Sequence, residues 1–172
     1  PPLPQDAPAS ETPYVTIQLP LYNEATVAVR LVDQIAKADY PHDKLEIQVL
    51  DDSTDETGSL VRARIAQLRD LEATADLDIV YIHRTDRTGY KAGALEHGLK
   101  VAKGDFVAIF DADFMPQPEF LRALVPHFAD PKVGMVQARW GHLNRAFSLL
   151  TRTQALMLDG HHLVENRARH AA

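Results

Sequence analysis

Hydrophobic positions along this chain switch repeatedly between two spacings. A β-rich run, YVTIQL (14–19), is followed by apolar residues at Ala28, Leu31, Val32 and Ile35, the spacing of one helical face. LEIQVL (45–50) then predicts a second strand, and Val61, Ile65 and Leu68 a second helix. DIVYIH (78–83) predicts a third strand, and Leu95, Leu99 and Ala102 a third helix. FVAIF (106–110) is an unbroken apolar run, which predicts a strand covered on both faces. A short helix over PEFLRALVPHF (118–128) and a fifth strand over VGMVQARW (133–140) complete the alternation. The tail from Phe147 to Arg169 has a helical pattern interrupted at Gly160, and Asn23 stands where the first helix would be capped.

Strands alternating with helices of this length imply right-handed crossovers and a mostly parallel α/β sheet. Ligands of such sheets bind beyond the carboxyl ends of the strands. Three of those ends carry unusual residues: LPLYNE after the first strand, DDSTDE after the second and DAD after the fourth. Before the first strand, residues 1–13 hold five prolines and read as an extended linker to the domain over 14–172.

Composition narrows the chemistry. With 172 residues, 45% of them apolar, the chain can bury one sizeable core. A net charge of −6 offers no footprint for nucleic acid. No cysteine is present, which removes disulfides, thiolate catalysis and thiolate zinc sites together and fits a reducing compartment. No run of about 18 apolar residues exists to span a bilayer, and the N-terminal segment has neither the basic nor the apolar region of a signal peptide.

Asp111-Ala112-Asp113 leaves a buried strand at its ligand-binding end, and two carboxylates there suit Mg²⁺ or Mn²⁺, which take oxygen ligands shared with substrate phosphates. An ordinary solvated turn is the alternative. In Asp51-Asp52-Ser53-Thr54-Asp55-Glu56, Ser53 or Asp55 can cap the next helix, leaving Asp51 and Asp52 free to face a base or ribose. Lys91, in Gly89-Tyr90-Lys91-Ala92-Gly93, sits at a helix start, where a cation opposes the helix dipole unless an anion lies nearby. Adjacent His161 and His162 diverge by about 100° on a helix and make a poor metal pair, and Trp140 reads as core or as a sugar-stacking platform.

Taken in order, LPLYNE, DDSTDE, GYKAGAL, FDADF and VQARWGHLN resemble family 2 glycosyltransferases, most of all the cellulose-synthase-like branch that makes β-1,4-linked mannans and glucans. The resemblance implies a Rossmann-like GT-A domain that transfers a hexose from UDP-glucose or GDP-mannose to a growing β-linked glycan, with inversion. It implies that Glu24 and Asp52 contact base and ribose with Tyr22 beside them, and that Lys91 lies near the diphosphate. Asp111 then approaches the sugar nucleotide and Asp113 holds the Mn²⁺ or Mg²⁺ that bridges the phosphates. It places the whole protein at the cytoplasmic face of a membrane, through segments outside this chain. Family members continue to an acidic TED-type motif that supplies the general base. Neither RARHAA nor QARW (137–140) matches a later motif, so the chain is expected to hold the donor-binding part of a domain incomplete at its C-terminus, with Asp159 and Glu165 the only late carboxylates to weigh as bases. Two other readings stand beside this one. A non-catalytic nucleotide-sugar-binding module needs the same loops. A haloacid-dehalogenase-type phosphatase also uses a DxD after an apolar strand, but requires its lysine downstream, whereas Lys91 lies upstream.

Overall fold

The computed structural model describes residues 12–138, 141–142 and 144–160. They belong to two compact units, Pro1–Ala129 and Asp130–Ala172. The first holds four parallel strands, β1 (Val15–Leu21), β2 (Leu45–Asp51), β3 (Asp78–His83) and β4 (Phe106–Ile109), in the order β3-β2-β1-β4. Helices α1 (Ala28–Ile35), α2 (Thr57–Arg69) and α3 (Tyr90–Leu99) lie in the crossovers, and the short α4 (Phe120–Leu124) runs into a 3-10 turn over Val125–Ala129. Strand order reverses between β1 and β4, which opens a crevice at their carboxyl ends.

The two faces of the sheet have different chemistry. Val15, Ile17 and Leu19 pair in register with Leu45, Ile47 and Val49. These side chains are buried in one core with Leu31, Val32 and Ile35 of α1 and Val61, Ile65 and Leu68 of α2. Truncating one of them to Ala, as in Ile47→Ala, costs about 2–5 kcal/mol. The alternate residues Thr16, Gln18, Glu46 and Gln48 are equally buried but polar. Thr16 Oγ1 donates to Glu46 Oε2 at 2.7 Å, Gln48 Nε2 donates to the same oxygen at 3.2 Å, and Gln18 Nε2 donates to Gln48 Oε1 at 3.0 Å. The backbone N–H of Lys103 completes the shell of Glu46 at 3.1 Å. Helix α3 packs on β1 and β2, and Gly98 closes the approach: a Cβ there would stand 2.7 Å from Gln18 Nε2.

Three expectations are corrected. β4 is not covered on both faces: Phe106 stacks on Phe128 with centroids 4.5 Å apart, whereas Val107 and Ile109, level with Thr16 and Gln18 on the α3 side, are exposed because α3 packs on β1 and β2. Residues 133–138 form no strand; their β-propensity finds no partner ladder among the described residues, and a strand without one is not stable. Asn23 does not cap α1, which starts at Ala28 after Val27. In the second unit, α5 (Leu149–Gly160) is preceded by a reciprocal cap: Ser148 Oγ accepts from Thr151 N–H at 3.1 Å and Thr151 Oγ1 accepts from Ser148 N–H at 2.9 Å. Trp140, His161, His162 and Glu165, and nearly all of the linker, lie outside the described residues.

Candidate functional site

A cleft of about 450 Å³ lies at the carboxyl ends of β1 and β4. Its wall contains the six side chains that the family resemblance assigned to the donor site: Tyr22 and Glu24 after β1, Asp52 after β2, Lys91 in the first turn of α3, and Asp111 and Asp113 after β4. Lys91 Nζ pairs with Asp111 Oδ1, which resolves the cation at a helix start: its anion in this structure is a carboxylate of the site itself. Burial, then the charges of Asp113 and Asp111, raise the pKa of Glu24, with Lys91 pulling it down. The three carboxylates therefore share one electrostatic field, and a cation is what would relieve it. Among the described residues no three His, Cys, Asp or Glu side chains are grouped to hold a metal by themselves. A hard, all-oxygen donor set short of a full cage fits Mg²⁺ or Mn²⁺ that completes its shell with substrate phosphate oxygens.

Asp51 and Asp52 are not free, contrary to expectation. Asp51 is fully buried; its Oδ2 accepts from the Tyr81 hydroxyl at 2.5 Å and its Oδ1 from Ser53 N–H at 3.0 Å. Burial, and then this bond to Asp51, push the Tyr81 phenol up to about 12. Asp52 is gripped by Arg84 through both oxygens, Nε to Oδ1 at 2.9 Å and Nη2 to Oδ2 at 2.5 Å. Each carboxylate oxygen carries a second lone pair, so Asp52, which lines the cleft, keeps accepting capacity beyond the Arg84 fork. Neither Ser53 nor Asp55 is the N-cap of α2, which is Glu56; Asp55, one residue earlier, accepts from the N–H of Thr57 at 2.9 Å in a local turn.

Three contributors were missed. Asn23 adopts a left-handed φ of 54° and ties two loops together: its N–H donates to Ser53 Oγ at 2.9 Å and its Oδ1 accepts from Thr54 N–H at 2.9 Å. Arg87 lies over the Tyr22 ring, 3.2 Å from its centroid, and its Nε is buried without a hydrogen-bond partner. Arg84 is the third. The string R-T-D-R-T before GYKAG, two arginines ahead of a helix start, is the signal that could have drawn attention to both cations.

The sequence profile described as Glycosyl transferase family 2 matches residues 16–168. Glucomannan 4-beta-mannosyltransferase 9 of Arabidopsis thaliana is 43% identical over 164 residues, 91% of this chain and 30% of the relative. Glucomannan 4-beta-mannosyltransferase 1 of Oryza sativa subsp. japonica is 40% identical over 171 residues, 95% of this chain and 32% of the relative. Mannosyltransferase PcManGT from Pyrobaculum calidifontis, solved in complex with GDP-Man and Mn²⁺, superposes with a TM-score of 0.65 at 39% identity, over 74% of this chain and 36% of its own. The chain thus spans about 30% of the length of the curated relatives it matches. The fold is the GT-A type expected, and the phosphatase alternative falls. With the profile running through every strand end that lines the cleft, this chain belongs to glycosyl transferase family 2.

Proposed function

We propose that this chain is the donor-binding part of a metal-dependent, inverting hexosyltransferase that takes a mannosyl group from GDP-mannose and extends a β-1,4-linked glycan. One observation carries the reading: Asp111 and Asp113 leave β4 directly opposite an α3 start bearing Lys91, in a single cleft with Tyr22, Glu24 and Asp52. The 39–43% identity to mannosyltransferases favours mannose over glucose and GDP over UDP.

Asp113, with Asp111, would hold Mn²⁺ or Mg²⁺, which when bound supplies charge neutralisation for the departing diphosphate. The residues of the chain do the rest. Lys91, at the start of α3, faces the same anion, so Lys91 exchanges Asp111 for a phosphate oxygen as donor enters. Asp52 and Glu24 accept from ribose and base, and Tyr22 offers an aromatic face to the base. The acceptor hydroxyl attacks the anomeric carbon as the bond to the diphosphate breaks, and its proton passes to a carboxylate base. The site carboxylates are committed to donor and cation, and Asp159 is held by His142 at 3.3 Å and Arg145 at 3.2 Å. The chain of 172 residues is accordingly expected to bind donor and transfer sugar slowly at most. Membrane attachment and a cytoplasmic site of action belong to the proposal for the whole protein; among the described residues no helix is long and apolar enough to cross a membrane.

Calorimetry tests this. GDP and GDP-mannose should bind with Mn²⁺ and lose affinity in chelator and in Asp113→Asn, and UDP-glucose should bind more weakly. Equal affinity with and without chelator sinks the metal role. Binding without turnover even in the whole protein, given a β-1,4-linked acceptor, would instead favour a binding module.

A further inference from the structure

Arg84 is not among the residues that line the cleft, yet it divides its guanidinium between Asp52 on one wall and the Thr88–Tyr90 backbone on another. Its side chain is 13% exposed and that of Asp52 5%. The fork to Asp52 uses Nε, one N–H of Nη2 and one lone pair on each carboxylate oxygen. The remaining donors turn the other way: Nη2 also reaches the carbonyl of Tyr90 at 3.1 Å, and Nη1 the carbonyl of Thr88 at 3.3 Å. Those two carbonyls bracket an unusual stretch of backbone. Gly89 has φ 76° and Tyr90 φ 51°. Tyrosine rarely adopts the left-handed region, because its Cβ crowds the following carbonyl. Such a turn persists only where its surroundings over-determine it. The residue after it is Lys91, whose direction is set by how the turn delivers the chain into α3.

We infer that Arg84 is a positioning residue that couples the two halves of the donor site, so that the carboxylate facing the nucleoside, Asp52, sets the geometry of the residue facing the diphosphate, Lys91. This rests on the donor-site reading above. The planar fork matters as well as the charge. Lysine at position 84 keeps the charge but offers one point, which cannot hold a carboxylate at both oxygens and two carbonyls in fixed directions. When Asp52 binds ribose or base it stays clamped, Arg84 stays oriented, and the Thr88–Lys91 turn keeps the shape that presents Lys91 to the phosphates.

Inorganic pyrophosphate with Mn²⁺ separates this from a role confined to the nucleoside, because pyrophosphate has no nucleoside for Asp52 to touch. Calorimetry on the full chain should show Arg84→Lys binding Mn²⁺–pyrophosphate about tenfold more weakly than the parent, the usual loss when a group that orients a site residue is removed. Asp52→Asn should show a loss of the same order, although it lies on the other wall. Amide hydrogen exchange should speed up at Gly89, Tyr90 and Lys91 in both variants. Thermal melts establish that each variant is folded, and should Arg84→Lys fail to fold, Asp52→Asn decides alone. Unchanged pyrophosphate affinity in folded Asp52→Asn, with GDP binding weakened, would overturn the coupling and confine Asp52 to the nucleoside. If the parent bound neither Mn²⁺–pyrophosphate nor Mn²⁺–GDP, the donor-site reading itself would fall, and the coupling with it.

Discussion

Gly93→Ala puts the turn before α3 to a direct test. A Cβ at this position would stand 2.0 Å from the Thr88 carbonyl oxygen, 3.1 Å from its carbon and 3.0 Å from Arg84 Nη1. A carbon and a carbonyl oxygen settle no closer than about 3.3 Å, so the contact is short by roughly 1.3 Å. Both clashing groups are constrained: the oxygen belongs to backbone, and Arg84 is held by Asp52. Two effects oppose each other. Alanine gains about 1 kcal/mol over glycine inside a helix. Overpacking a filled site costs about 1–3 kcal/mol, and more where backbone must yield. The clash wins, with a net loss of about 1–2 kcal/mol, which lowers Tm by roughly 2–8 °C in a chain of this size. The larger effect falls on the site. Relief moves the Thr88 carbonyl or the start of α3 by about 1 Å, and displacements of that size cost up to about 100-fold in a positioned site. Affinity for Mn²⁺–GDP should fall at least about tenfold by calorimetry. Gly134→Ala is the control: nothing lies within 4 Å of its Cβ position, and its Tm should stay with the parent's. A Gly93→Ala variant with the parent's Tm and nucleotide affinity would show that the turn yields easily and that the reasoning from close approach is wrong.

Three further outcomes follow from buried or exposed groups elsewhere. Tyr40 and Tyr81 are both pushed up to about 12, burial being the main cause in each, so the stability they contribute is complete below about pH 10 and is lost as pH rises through about 12. Absorbance at 295 nm should show Tyr40 and Tyr81 ionising near the alkaline unfolding step, and Tyr81→Phe should remove one of these signals while costing about 1–2 kcal/mol from the Asp51 oxygen left without its donor. Glu46→Ala strands the hydroxyl of Thr16, the amide of Gln48 and the N–H of Lys103, so urea melts should register a loss of about 3 kcal/mol or more, with Glu46→Gln losing less. Leu149, Leu150, Leu156 and Met157 of α5 are exposed, and such an apolar strip promotes association; sedimentation of a Leu156→Ser, Met157→Gln variant should show less self-association, with stability within about 0.5 kcal/mol of the parent.

The strands were legible because the sheet imposes a period of two and each run ended in a turn: β3 coincides with DIVYIH, and β1 and β2 extend their sequence runs by one or two residues. The site was legible through the topological rule that strands in this order present their carboxyl ends to a ligand. What stayed hidden depends on partners that a linear pattern does not specify. FVAIF shows an apolar strand but not that β4 is the outermost in the described sheet, and the alternation at 133–138 does not reveal a missing ladder. Arg84 and Arg87 stand in a stretch that reads as a solvated charged loop, and their value arises only when backbone carbonyls and an aromatic ring are folded around them.

The polar face of the sheet gives those hidden residues their setting. Only Ala94 and Gly98 of α3 are buried, so apolar contact does little to fix where this helix sits along the strands. Apolar packing is also weakly directional, and a smooth helix face on it can slide. Hydrogen bonds are directional, and here they reach the helix: Gln18 Nε2 donates to the Leu95 carbonyl at 3.4 Å while anchored to Gln48, which is anchored to Glu46. Gly98 lets the two surfaces close to that distance. The buried Thr16, Gln18, Glu46 and Gln48, which a hydropathy profile counts against a core, therefore index α3 from below while Arg84 indexes its first turn from the side. Lys91 is placed by polar groups on both counts. The face under α3, the helix that bears Lys91, is thus built from hydrogen bonds, and the face carrying α1 and α2 from aliphatic side chains.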